Sequence, residues 1–452
     1  MHINAGKKLK WSPVRILCIG FAMVILIGAI LLALPISTVD RSWTPFTDCV
    51  FTSTSAVCVT GLVTVDTGSH WSYFGKTVIM LLIQIGGLGF MSFATLFALL
   101  IGKKITLSER LVLQEALNAS NLQGLVRMAK YILIFTFSVE GIGALLLSTQ
   151  FIPELGLLKG TYYSIFHSVS AFCNAGFDIL GTTGNKFVSL VPYQNNTVII
   201  LTIGALIAIG GLGFAVWAEL YNYKGIRKLS LHSKIVITAT IILIISGTIL
   251  MFFIEHNNPG TMGNQSVKGK FLSSVFASIT PRTAGFNSIS TSDMMPAGRF
   301  LTVVLMFIGG SPGSTAGGIK TTTLVIIIFT IISAIKGKED TELYKKRIAK
   351  DLVLRAFIIA ILGLLLVVTV TMILTVTEKG ASLEYIIYEV VSGFGTVGLT
   401  LGLTPSLTII GKILLAITMY SGRVGLLTIA LSLAKKSSTN LIRYPEDKIL
   451  VG

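Results

Sequence analysis

Polar and apolar positions along the chain fall into long blocks. Eight apolar segments stand out, at about 14 to 35, 77 to 101, 125 to 151, 197 to 218, 233 to 254, 300 to 335, 352 to 377 and 407 to 434. Each reaches the roughly 20 residues with which a helix crosses a hydrocarbon core of about 30 Å. They come in pairs, and every pair encloses a connector with a half-apolar stretch of about 12 residues, at 45 to 57, 160 to 172, 269 to 280 and 382 to 394. A stretch that short cannot span as a helix, so it reads as a re-entrant element dipping into the membrane, or as a core or interfacial helix.

Each short stretch runs into a small-residue turn: Ala56-Val-Cys-Val-Thr-Gly61-Leu, Ala171-Phe-Cys-Asn-Ala-Gly176-Phe, Pro281-Arg-Thr-Ala-Gly285-Phe and Gly393-Phe-Gly-Thr-Val-Gly398-Leu. The final glycines are 115, 109 and 113 residues apart. The following segments echo one another as well, in Ile85-Gly-Gly-Leu-Gly-Phe90, Ile209-Gly-Gly-Leu-Gly-Phe214, Ile308-Gly-Gly-Ser-Pro-Gly313 and the weaker Ser421-Gly-Arg-Val-Gly425. Such self-similarity predicts an all-α polytopic membrane protein of four parallel helix, pore loop, helix repeats with pseudo-fourfold symmetry about a central pore. The expected units are 14–102, 125–220, 231–335 with a broken second helix, and 352–434, followed by a cytoplasmic tail at 435–452.

Composition sharpens the class. Hydrophobic residues make up 52% and charged ones only 12% of 452 residues, against roughly 45–50% and 25% in soluble proteins. The net charge of +16 is not a nucleic-acid signature, since no basic soluble face is present to carry it. Of the 36 Lys and Arg residues, 25 fall at the N-terminus, between units or at the C-terminus, and ten on the side of the short stretches. That bias predicts both termini in the cytoplasm. Cys18, Cys49, Cys58 and Cys173 lie in or beside apolar segments without paired spacing, as small packing residues do.

Irregular backbone at membrane depth is tolerated only when buried in protein or lining an aqueous path. Glycine at each turn allows positive φ values that aim successive carbonyls at a common centre, and such oxygens replace the hydration shell of a monovalent cation. No carboxylate lies in the turns, which disfavours divalent-cation or anion selectivity. The sixth segment carries five glycines and a proline between Phe307 and Lys320, where the first two units are expected to continue as helix. An unwound loop able to obstruct the pathway is predicted there, with a simple packing kink as the alternative. Arg423 sits mid-segment, either facing the pore or paired with Glu140 or another buried acid, and reads as the one basic side chain deep in the membrane. Asp48, Glu384 and Glu389 lie on short stretches and either concentrate cations or serve solvated and helix-stabilising roles.

Two nucleotide-site matches fail on context. Gly393-Phe-Gly395-Thr-Val-Gly398 fits the dinucleotide pattern, and Gly313 to Thr321 is one residue from a phosphate-binding loop, but neither follows a strand. Hydrolase and metalloprotease signatures are absent, so no enzyme, catalytic residue or cofactor-binding residue is predicted.

Taken together, the four turns, the 309–320 stretch and Gly422-Arg423-Val424-Gly425 resemble the Trk/Ktr/HKT superfamily of cation transporters, and within it the membrane subunits of bacterial Ktr systems. The resemblance covers essentially the whole chain. It implies a K⁺ filter of backbone carbonyls at Val59, Thr60, Gly61 and Leu62, at Asn174, Ala175, Gly176 and Phe177, at Thr283, Ala284, Gly285 and Phe286, and at Thr396, Val397, Gly398 and Leu399. Plant relatives that favour Na⁺ can carry Ser at the first glycine; Gly61 favours K⁺. A gate is implied at Gly309, Gly310, Ser311, Pro312, Gly313, Ser314, Thr315, Ala316, Gly317, Gly318 and Lys320, with Arg423 as its pore arginine. The resemblance further implies a homodimer in the cell membrane, one pore per subunit, on a cytosolic octameric ring of KtrA-type subunits that binds ATP, ADP or NAD, with Na⁺ as a possible activator. The basic stretches at 224–228 and 336–350 are candidate docking surfaces for that ring, although the ordinary cytoplasmic excess of Lys and Arg explains them equally.

Two other readings stay open. One is a Na⁺ or non-selective monovalent cation transporter of the same fold, since each turn has a single glycine. The other is a secondary transporter of an organic solute, a class that commonly uses inverted rather than parallel repeats.

Overall fold

Each unit opens with a long helix: Pro13–Ala33, Leu125–Leu155, Leu231–Glu255 and Lys350–Thr377. The computed structural model describes residues 12–89, 107–116, 125–221 and 229–433; the tail at 435–452 and the basic stretch at 224–228 lie outside them. Helix starts carry their chemical marks. Ser12 accepts the Arg15 amide at 3.3 Å ahead of Pro13, and Ser230 accepts that of Ser233 at 3.2 Å, which satisfies first-turn N–H groups. All four helices are long and apolar enough to cross a membrane. Outward side chains such as Ile27, Leu145, Ile242 and Met372 are more than half exposed, a surface suited to lipid rather than water.

Behind each long helix lies a short one: Phe46–Cys58, Leu157–Phe172, Val267–Ile279 and Leu383–Gly395. Hydroxyls join the pair in three units. Ser53 donates to the Ile25 carbonyl at 2.7 Å, Ser168 to Glu140 at 2.6 Å and Ser278 to Ile244 at 2.8 Å. Three residues beyond each accepting carbonyl stands a glycine, Gly28, Gly143 or Gly247, where a Cβ would overlap the same serine hydroxyl. Small residues thus let the backbones approach while the hydroxyl is satisfied without water. The fourth unit replaces this bond with the Phe394 ring against Gly363.

The second helices depart from expectation. Interruption is not confined to the third unit, where Pro296–Phe307 and Thr321–Ile335 flank the glycine-rich loop. In the second unit Thr197–Gly211 and Phe214–Tyr221 meet at 97°. The first ends its helix Tyr73–Leu88 at Gly89, and the fourth breaks between Ile409–Val424 and Leu426–Leu433. Gly89, Gly213 and Gly425 have φ of 77°, 94° and 93°, which a right-handed helix cannot continue.

The units close into a ring in chain order. The second helix of each unit packs on the short helix of the next, 73–88 on 157–172, 197–211 on 267–279 and 296–307 on 383–395, and 409–424 returns to 46–58. Lys412 and Asp48 pair at 2.6 Å across that last junction.

Candidate functional site

The four short helices end in one repeated backbone device. Val59, Asn174, Thr283 and Thr396 have φ of 59°, 59°, 75° and 51°, and two residues later Gly61, Gly176, Gly285 and Gly398 have φ of 92°, 67°, 80° and 92°. Left-handed backbone costs a non-glycine residue about 1–2 kcal/mol, and more when it is β-branched. Hydrogen bonds back to the short helix hold the turn: Thr60 to Ser55 at 2.8 Å, Ala175 to Ser170 at 2.7 Å, Ala284 to Thr280 at 2.9 Å and Val397 to Ser392 at 2.9 Å. The third turn is one residue shorter in this respect, since Thr280 lies five rather than six residues before its glycine.

The turns meet. A Cβ built on Gly61 would overlap the carbonyl oxygen of Ala175, one on Gly176 that of Ala284, one on Gly285 that of Val397, and one on Gly398 that of Thr60. The residues predicted from sequence, 59–62, 174–177, 283–286 and 396–399, are therefore brought into one closed circle. Side-chain hydroxyls behind it are used in two ways, one in the first and fourth units and the other in the second and third. Ser55 and Ser392 accept the Gly61 and Gly398 amides at 3.0 and 3.1 Å, whereas Ser170 and Thr280 donate to the Phe177 and Phe286 carbonyls at 2.7 and 2.6 Å. Among the described residues, the buried hydroxyls of Thr60 and Thr396 find no hydrogen-bond partner.

Against this circle lies the 309–320 loop. Its amides cap the orphan carbonyls at the end of the second-unit helix, Ser311 to Gly211 at 3.0 Å and Thr315 to Gly210 at 3.4 Å, and Phe214 donates back to Gly313 at 2.9 Å. Thr315 Oγ1 reaches Phe172 O at 3.3 Å, and a Cβ on Gly317 would overlap the Thr396 hydroxyl. Two cations grip the loop. Lys320 Nζ donates to Ala316 O at 2.5 Å, and Arg423 donates to Thr315 O, to Gly86 O and, at 3.1 Å, to Gly87 O.

Among the described residues, Arg423 thus pairs with no acid. Glu140 is met instead by the Gln84 amide at 3.1 and 3.2 Å. Nor is Arg423 the only basic side chain at depth: Arg282, in the third turn, is 7% exposed and donates to Thr240 Oγ1 at 3.4 Å. Sequence reading passed over it as a turn residue. Its signal was position, three before Gly285 as Cys58 and Cys173 precede Gly61 and Gly176.

The family model TrkH, described as a cation transport protein, matches residues 21–444. The potassium/sodium uptake protein NtpJ of Enterococcus hirae is 46% identical over 98% of this chain and 98% of its own length. The Ktr system potassium uptake protein B of Bacillus subtilis is 41% identical over the full length of both chains. The crystal structure of the potassium transporter TrkH from Vibrio parahaemolyticus superposes with a TM-score of 0.72 at 18% identity, over 96% of this chain and 87% of that one, a likeness of fold. With a family match over nearly all of its length and close relatives among uptake proteins, this multi-pass membrane protein belongs to the TrkH family of cation transport proteins, within the Trk/Ktr superfamily, and is a transporter rather than an enzyme.

Proposed function

We propose that this chain is the potassium-translocating membrane subunit of an uptake system, passing the ion through the circle of four turns. The observation that carries the reading is the fourfold repeat of left-handed residue, spacer and positive-φ glycine, closed carbonyl to glycine around one centre. Backbone oxygens so held replace water around a monovalent cation. The partnerless Thr60 and Thr396 hydroxyls add oxygen without adding charge. The 309–320 loop is the gate in this proposal, and Arg423 is its clamp, tying the loop to the end of the first-unit helix.

Opening is proposed to follow from a separate cytosolic nucleotide-binding ring of KtrA type, carrying ATP, ADP or NAD, on a homodimer of this chain in the plasma membrane with both termini cytoplasmic. The cytoplasmic excess of Lys and Arg supports that orientation. Na⁺ acts as an activator in the same proposal. A second reading, sodium or mixed monovalent transport, draws on the potassium/sodium name of the Enterococcus relative and on the single glycine per turn. Membership of a cation transport family speaks against the organic-solute reading. Competition of K⁺ and Na⁺ in liposomes holding the purified chain tests the choice. Potassium flux that excess sodium does not displace is expected, and equal flux of the two ions would overturn the selectivity.

A further inference from the structure

Three acidic side chains lie on the short helices, and two are neutralised: Asp48 pairs with Lys412 at 2.6 Å and Glu384 with Arg299 at 3.3 Å. The third, Glu389, has no accessible surface and forms no ion pair among the described residues. A buried carboxylate without a counter-ion destabilises a protein unless hydrogen-bond donors satisfy it. Both donors here come from the segment that leaves the fourth turn. Thr400 Oγ1, two residues past Gly398, donates to one carboxylate oxygen at 2.7 Å, and Thr404 Oγ1 donates to the other. Thr400 is fixed from further sides as well. Its hydroxyl accepts the Gly402 amide at 2.9 Å, and its carbonyl accepts the Thr291 hydroxyl of the third unit at 2.6 Å. At the matching place in the first two units, nine residues before the glycine, stand Thr52 and His167, and in the third, matched through Thr280, Ala277. The carboxylate is therefore a feature of the fourth unit alone.

We propose that Glu389 is the positioning residue for the outer lip of the fourth turn, and that through Thr400 it sets how well the circle of carbonyls discriminates potassium from sodium. The proposal rests on the circle being the ion path. Discrimination depends on the number and placement of oxygens around the ion, and a lip freed from its anchor can draw in around the smaller cation. Glu389 acts behind the ring, through a hydroxyl that is itself tied to the neighbouring unit, so its effect is expected on selectivity rather than on folding alone.

The test measures potassium uptake, its KM and the K⁺ to Na⁺ flux ratio in liposomes holding the purified full chain, for wild type, Glu389→Ala, Glu389→Gln, Thr400→Val and the Ala/Val double variant. Loss of the Thr400–Glu389 hydrogen bond, common to Glu389→Ala and Thr400→Val, corresponds to a fall in the ratio of about tenfold in each. The double variant should be no worse than either alone, as for two groups in one bond. Glu389→Gln keeps an acceptor for Thr400 and should hold the ratio to within about twofold of wild type. Should Glu389→Ala fail to fold, Thr400→Val decides. A Thr400→Val ratio equal to wild type overturns the proposal, and so does a Gln variant as impaired as the Ala variant, which would assign the effect to charge. Absence of potassium flux in the wild-type chain would instead overturn the ion-path reading itself.

Discussion

Val59, Asn174, Thr283 and Thr396 all carry left-handed backbone at the same place in their turns, although none is a glycine. Their strain is tolerable because the adjoining amides are bonded back to the short helices and the side chains are at most 1% exposed. The glycines two residues on have no such latitude. Gly398→Ala places a methyl on the Thr60 carbonyl, so we expect potassium uptake to be lost while the protein still elutes as a folded species in detergent. Arg423 presents the opposite case, a charge whose cost in the membrane was legible in the sequence but whose partners were not. Backbone carbonyls leave no trace in side-chain identity, and the Thr315, Gly86 and Gly87 oxygens come together only once three units are packed. Arg423→Ala should raise basal potassium flux with little loss of folded protein, and a flux unchanged from wild type would show that the clamp does not hold the loop shut. A lysine there cannot span three carbonyls and should fall between the two.

Helices were read from hydropathy with success where they are long, and with less where they break. The four outer helices announce themselves by uninterrupted apolar length. The second helices do not, because Leu212 and Gly213 sit in a run that is apolar on both sides while the backbone turns by 97° between the helices. The available signal was the closing glycine of these echoes, Gly89, Gly213 and Gly425, which suits the positive-φ close of a helix better than its interior. The third unit differs in degree, since its interruption carries a whole loop. Deleting 311–316 removes the Thr315 carbonyl and the bonds to Gly210 and Gly211 together. Potassium flux should rise and lose its dependence on a regulatory partner, whereas reduced flux would assign the loop a structural part. Packing of outer on short helix is testable separately. Ser168→Ala should lower stability by about 1 kcal/mol, seen as a shift in thermal unfolding, and Gly143→Leu by considerably more, because Ser168 and Leu206 occupy the space.

Four units in a circle need one junction between the two ends of the chain, and Asp48 with Lys412 supplies it. Both side chains are largely buried, so losing either leaves a charge unpaired at a cost of about 3–5 kcal/mol. Asp48→Asn or Lys412→Met should therefore lower the unfolding temperature sharply, and exchange of the two residues should recover part of the loss. The fourfold plan itself was visible from the spacing of four glycines, since a repeat is a pattern in one dimension; side-chain pairs across a junction, such as Asp48 with Lys412, were not, because nothing in either local sequence marks its partner. The same junction bears on how the protein is made. Residues 48 and 412 are separated by 364 positions, so while a ribosome is still feeding the chain into the bilayer, three units form an open arc with one flank uncovered. The wall can close only once the last unit has been inserted, and a product terminated before residue 412 lacks that closing contact.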